Sequence, residues 1–152
     1  MAFAKNKREL EGFLESIVQS TLAGEVFDHV SMIHMKAIQE EVYNAYTPYN
    51  YTGTEQHYHR TYELMNPENF EAVLKGNTMT FLNKSYETFI LSVIEKGGHY
   101  NWGYPTQERH RDLDSEIGAR PFFKRTKEEV KKTNQIGNII YKNLEKFGIK
   151  KK

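Results

Sequence analysis

Two stretches of this chain hold side chains that could do chemistry. His57-x-His59 would set two imidazoles on one face of a strand, and with His99, His110 or a carboxylate they could bind zinc or manganese. Glu108-Arg109-His110-Arg111-Asp112-x-Asp114 gathers the acids, bases and cations that a metal-dependent nuclease or hydrolase uses. Neither reaches a motif. There is no HExxH, no cysteine ligand and no clustered Asp/Glu pattern, and alternating signs in one short loop read more simply as a solvated surface. The remaining chemistries lack their frames, because no GxSxG elbow, GxxxxGK[ST] or GxGxxG is present. The expectation is therefore no catalytic residue, no metal and no cofactor, with a hydrolase using His57, His59 and residues 108–114 kept as the alternative.

The aromatics open a different chemistry, contact with other polypeptides, beside a plainer role in the chain's own fold. Six of the ten tyrosines (Tyr43, Tyr46, Tyr49, Tyr51, Tyr58 and Tyr62) fall among Pro, Gly, Asn and Thr, and Tyr100, Trp102 and Tyr104 form a second group. Tyr, Trp and Arg are enriched where proteins meet. The competing reading is aromatics covering the chain's own core edge. Base stacking on single-stranded nucleic acid is a third, but Arg60 has few cationic neighbours to hold a backbone.

Positioning those groups falls to one domain. The chain has 152 residues, long enough for one core, with 38% apolar, 27% charged and 13% aromatic residues. Lys+Arg at 21 against Asp+Glu at 20 gives a net charge of +1, so no overall field draws it to nucleic acid or anionic membrane. Zero cysteines exclude disulfides, thiolate metal sites and cysteine nucleophiles. Charges at Lys5, Lys7, Arg8, Glu9 and Glu11 interrupt any signal-like apolar run, and no stretch approaches the roughly 20 apolar residues of a spanning helix. No membrane association is expected.

Apolar residues at three- and four-residue steps predict a helix from about Asn6 to Leu22, weakly interrupted at Ala23-Gly24. A second helical segment runs from Val26 to Ala45 and stops at Thr47-Pro48. Phe70–Leu74 and Thr78–Leu82 read as a hairpin turned by Lys75-Gly76-Asn77. Ser85 could cap a helix ended by Gly97-Gly98, although residues 85–96 could equally be a doubly buried strand. After a polar loop from Gly98 to Arg120, Pro121 suits the first position of a long C-terminal helix ending before Gly148, with Glu128 and Lys132 as a surface pair. Residues 148–152 read as a flexible basic tail. The fold class expected is α+β: N-terminal helices and a long C-terminal helix packed on a small antiparallel sheet, with long surface loops.

Three landmarks then fall in order: Tyr46-Thr47-Pro48 followed by Tyr58-His59-Arg60-Thr61-Tyr62-Glu63-Leu64-Met65; Val93-Ile94-Glu95-Lys96-Gly97-Gly98 followed by Tyr100 and Trp102; and Ala119-Arg120-Pro121-Phe122-Phe123. In this arrangement the chain resembles the tail-completion, or neck, protein family of long-tailed double-stranded DNA bacteriophages, from about residue 30 to residue 133. An insertion at Asn50–Gln56 departs from the family pattern.

The resemblance implies a structural virion protein without an active site. It would form a ring, a hexamer or dodecamer, between the head connector or adaptor and the tail tube or tail terminator. Assembly would take place in the host cytoplasm, and DNA would be met only as the passing genome. Arg120, Pro121, Phe122 and Phe123 would be the motif that anchors the last helix. A ring needs two unlike adhesive surfaces on each subunit. The candidates are Tyr49, Tyr51, Tyr58, Arg60 and Tyr62 on one side, and Tyr100, Trp102 and Tyr104 on the other. Near-neutral charge suits that task, since a strongly basic channel would hold the genome through counterion release.

Overall fold

In the computed structural model the described residues are 6–45, 62–86, 88–97 and 119–150. Helix α1 (Lys7–Thr21) starts at Asn6, whose side-chain oxygen accepts from the backbone N–H of Glu9 at 3.0 Å, while its amide reaches the Glu9 carboxylate at 3.3 Å. This exchange satisfies one orphan N–H of the first turn and is worth about 1 kcal/mol. The expected interruption at Ala23-Gly24 is a single π turn, Leu22–Val26, through which the helix continues into α2 (Phe27–Ile38). A second π turn, Gln39–Tyr43, extends it.

A π turn adds a residue and so rotates the apolar stripe about the helix axis. Ahead of the first turn, Ile17 and Thr21 are buried and α1 meets the C-terminal helix. Beyond it, Val30, His34, Ala37 and Ile38 face the middle of the molecule.

Strands β1 (Phe70–Lys75) and β2 (Thr78–Asn83) pair antiparallel from Phe70↔Asn83 to Lys75↔Thr78. Gly76 takes φ +56°, the sign that two-residue hairpin turns require at their first central position. Phe70, Phe81 and Asn83 point inward from the ladder. On the outer face Lys84 pairs with Glu71.

Residues 88–96 are helix α3 (Thr88–Lys96), which settles the helix-or-strand alternative, and Gly97 at φ +75° ends it in the left-handed region. Ser85 does not cap it: its N–H and hydroxyl both donate to Asn83 Oδ1, at 3.0 and 2.6 Å, in a turn that closes β2.

The C-terminal helix is broken in two. Helix α4 (Phe122–Thr133) ends at Asn134, whose backbone is left-handed (φ +48°, ψ +28°), and α5 (Gln135–Lys146) resumes at once. Asn tolerates that conformation better than most residues, which is why the break falls there. Pro121 sits one position ahead of α4 and not at its first helical residue. The surface pair that forms is Lys132 with Glu129, at 3.9 Å, in place of Glu128. Gly148 (φ +80°) closes α5: its N–H bonds the Glu145 carbonyl at 2.9 Å, and that of Ile149 bonds Leu144 at 3.2 Å.

The result is α+β, mostly helical with one two-stranded antiparallel sheet among the described residues. One apolar cluster joins Ala37, Ile38, Val42, Leu64, Phe70, Leu91 and Phe122; a second joins Leu22, Val26 and Val30 to Val130, Ile136, Ile139 and Ile140. Phe81 touches both.

Candidate functional site

Described residues from each landmark segment, Leu64 and Met65, Ile94, and Phe122 and Phe123, pack in one apolar cluster. Glu95, near the end of α3, accepts the backbone N–H of Phe123 at 2.8 Å and that of Lys124 at 3.0 Å, one on each carboxylate oxygen. The proline ahead of α4 offers no capping side chain, so a carboxylate from another helix supplies the cap and lies against the positive end of the helix dipole. Arg120 N–H bonds the Ile94 carbonyl at 3.0 Å, pinning the chain's return to the end of α3.

Below this cap lies His34, fully buried among four phenylalanine rings: Phe123 at 4.9 Å, Phe81 at 5.0 Å, Phe70 at 5.3 Å and Phe122 at 5.6 Å between centroids. The Asn83 amide donates to the Leu64 carbonyl at 2.9 Å and to His34 Nε2 at 3.2 Å. With Nε2 an acceptor, the ring's proton is on Nδ1 and points at Thr126 Oγ, 2.9 Å away. The Thr126 hydroxyl in turn donates to the Phe122 carbonyl at 2.7 Å. Both nitrogens of the His34 ring have a partner, so this network links α2, β2, α4 and the Glu63–Met65 turn without leaving the imidazole unpaired. Burial pushes the His34 imidazole down to about 4, so it stays neutral at pH 7.

Of the residues expected to matter, Phe122 is fully buried and Phe123 partly so, both against His34, and Arg120 and Pro121 lead into α4. Phe122 and Phe123 meet α2 through His34, and Arg120 meets α3 through Ile94. Tyr62 is 45% exposed with a left-handed backbone (φ +54°), and its ring lies 4.8 Å from that of Tyr43. That pair brings together the two ends of residues 44–61. Tyr49, Tyr51, Tyr58, Arg60, Tyr100, Trp102 and Tyr104 lie outside the described residues, as do His57, His59 and residues 108–114. Among the described residues no group of three His, Asp or Glu could hold a metal ion, and no helix is long and apolar enough to cross a membrane.

Sequence reasoning passed over His34, Asn83, Thr126 and Glu95. His34 had a signal: it falls four residues after Val30 and four before Ile38, inside the apolar stripe of a helix, where an imidazole needs partners from elsewhere. The other three are polar residues that each have a partner 28 to 92 positions away, which no local spacing reveals.

No curated protein and no solved structure matches this chain. A family model does match, over residues 6–146, which takes in every helix and strand described above. The chain thus belongs to the YomN family, a phage-derived family name consistent with a phage protein.

Proposed function

We propose that this chain is a structural protein of the phage neck, forming a ring that joins the head connector to the tail, and that it is not an enzyme. The observation that carries the reading is the corner built by Glu95, Arg120 and Phe122. There the Glu95 carboxylate accepts the Phe123 N–H, the Arg120 N–H bonds the Ile94 carbonyl and Phe122 is buried, contacts that suit positioning more than bond-breaking. The residues that flank the two aromatic-bearing stretches, 46–61 and 98–118, are themselves held in pairs. Tyr43 with Tyr62 closes the first, and Ile94 with Arg120 closes the second.

A ring subunit has to offer two unlike surfaces to its neighbours, and two aromatic segments held on one rigid support meet that need. Tyr49, Tyr51, Tyr58, Arg60 and Tyr62 serve one contact; Tyr100, Trp102 and Tyr104 serve the other. The partners are further copies, the connector or adaptor, and the tail tube or terminator, and the protein resides in the virion neck. The phage-derived family name supports the setting.

Deleting the gene in the phage that carries it tests the reading. Electron microscopy of the lysate should show filled heads and finished tails that remain separate; intact infectious virions would overturn it.

A further inference from the structure

The charges of this chain are segregated by element. Residues 6–45 hold seven acidic and three basic side chains, whereas residues 119–150 hold nine basic and three acidic ones. Some opposites meet within the subunit: Lys146 reaches Glu25 at 3.1 Å and Arg125 reaches Glu40 at 3.7 Å. Lys124, Lys127 and Lys131 meet no carboxylate among the described residues. At about 100° per residue they share one exposed face of α4, with Glu128 at its flank. The opposite face of α4, Phe122, Thr126 and Val130, packs on α2 and the core.

On α2, Asp28 and Met32 stand one turn apart on the side turned away from His34, and Met32 is 70% exposed, the most exposed large apolar side chain among the described residues. Asp28 meets no cation there. The lysine face and the Asp28–Met32 face thus lie on roughly opposite sides of the α2–α4 pair.

We infer that the lysine face of α4 docks on the Asp28–Met32 face of a second copy of this chain. Two complementary patches on opposite sides make a heterologous contact that repeats from subunit to subunit, which is what a ring needs. Lysine stems cover apolar surface while their ammonium groups stay wet, so Met32 is shielded as Asp28 is paired. This contact rests on the ring reading and adds to it a surface distinct from the aromatic segments.

Sedimentation velocity of the full chain across concentration and salt tests it, with circular dichroism melting as a fold control. Self-association should weaken with salt. K127E/K131E and D28K should each raise the dissociation constant by about tenfold or more. Combining D28K with K127E/K131E in one chain should restore association, because the swapped charges again oppose; K127Q/K131Q provides a milder version should reversal disturb folding.

Association unchanged by any of these variants, or absent in the wild type, overturns this contact while leaving the neck reading to the virion images. A salt-dependent gel shift with short duplex DNA that the lysine variants abolish, with self-association intact, would assign the face to nucleic acid and likewise overturn it.

Discussion

His34 Nδ1 lies 2.9 Å from Thr126 Oγ, a hydrogen bond across 92 residues of sequence that locks the middle of α2 to α4 inside a cage of phenylalanines. Because Asn83 occupies the other ring nitrogen as a donor, protonation of His34 would set two donors against each other in a site without water-facing surface.

That arrangement makes stability depend on pH. The folded-state value, about 4, lies below the ordinary 6.5, so between those limits the unfolded chain binds the extra proton. The His34 contribution is therefore complete above pH 6.5 and is lost as pH falls toward 4. Between pH 7 and pH 5 the loss should be about 2 kcal/mol. Urea unfolding at the two pH values checks this, and His34→Asn, though less stable at pH 7, should lose less of its remaining stability over the same range. Equal losses in both proteins would mean that His34 does not titrate with folding.

Glu95 holds two orphan N–H groups of α4 across a gap of 28 residues. Glu95→Ala should cost about 1 kcal/mol by removing the cap. Glu95→Gln keeps one accepting oxygen but loses the charge that faces the helix dipole, and should fall between. Chemical denaturation at neutral pH measures both; a Glu95→Ala protein as stable as wild type would show that solvent satisfies those groups as well.

The break at Asn134 divides what reads in the sequence as one helix. Apolar residues continue at helical spacing from Phe122 to Phe147, and a single left-handed residue barely disturbs that pattern while redirecting the chain. Asn134→Ala should cost about 1 kcal/mol from the left-handed strain on a Cβ, whereas Asn134→Gly should change stability by no more than a few tenths. A stabilised Asn134→Ala would mean that α4 and α5 can fuse into one straight helix.

The same contrast explains what the sequence made legible. The hairpin was readable because Gly76-Asn77 sits between two runs whose alternate residues, Phe70, Ala72, Phe81 and Asn83, share one face. Helix α1 and the span through α2 were readable from apolar periodicity, and only the π turn that rotates the stripe escaped, since Ala23-Gly24 looks like a stop. Thr126 in a run of lysines and glutamates looks like surface, yet it is buried against His34. Local spacing reports which side of an element is inward; it does not report which distant polar group waits there.

The proposed division of labour, a rigid corner carrying adhesive aromatic segments, separates two classes of variant. Phe122 is fully buried, so Phe122→Ala should cost about 3–5 kcal/mol and take assembly down with the fold. Trp102→Ala should instead leave the melting temperature nearly unchanged while weakening ring formation and the joining of heads to tails. Melting curves of the purified variants, paired with complementation of the deleted gene, read the two effects apart. A large fall in melting temperature for Trp102→Ala would place the indole in the core and remove it from the interface. The alternative chemistry is tested on the same preparations: plasmid DNA incubated with magnesium or manganese should stay intact, and cleavage that His57→Ala abolishes would replace the structural reading with a metal-dependent nuclease.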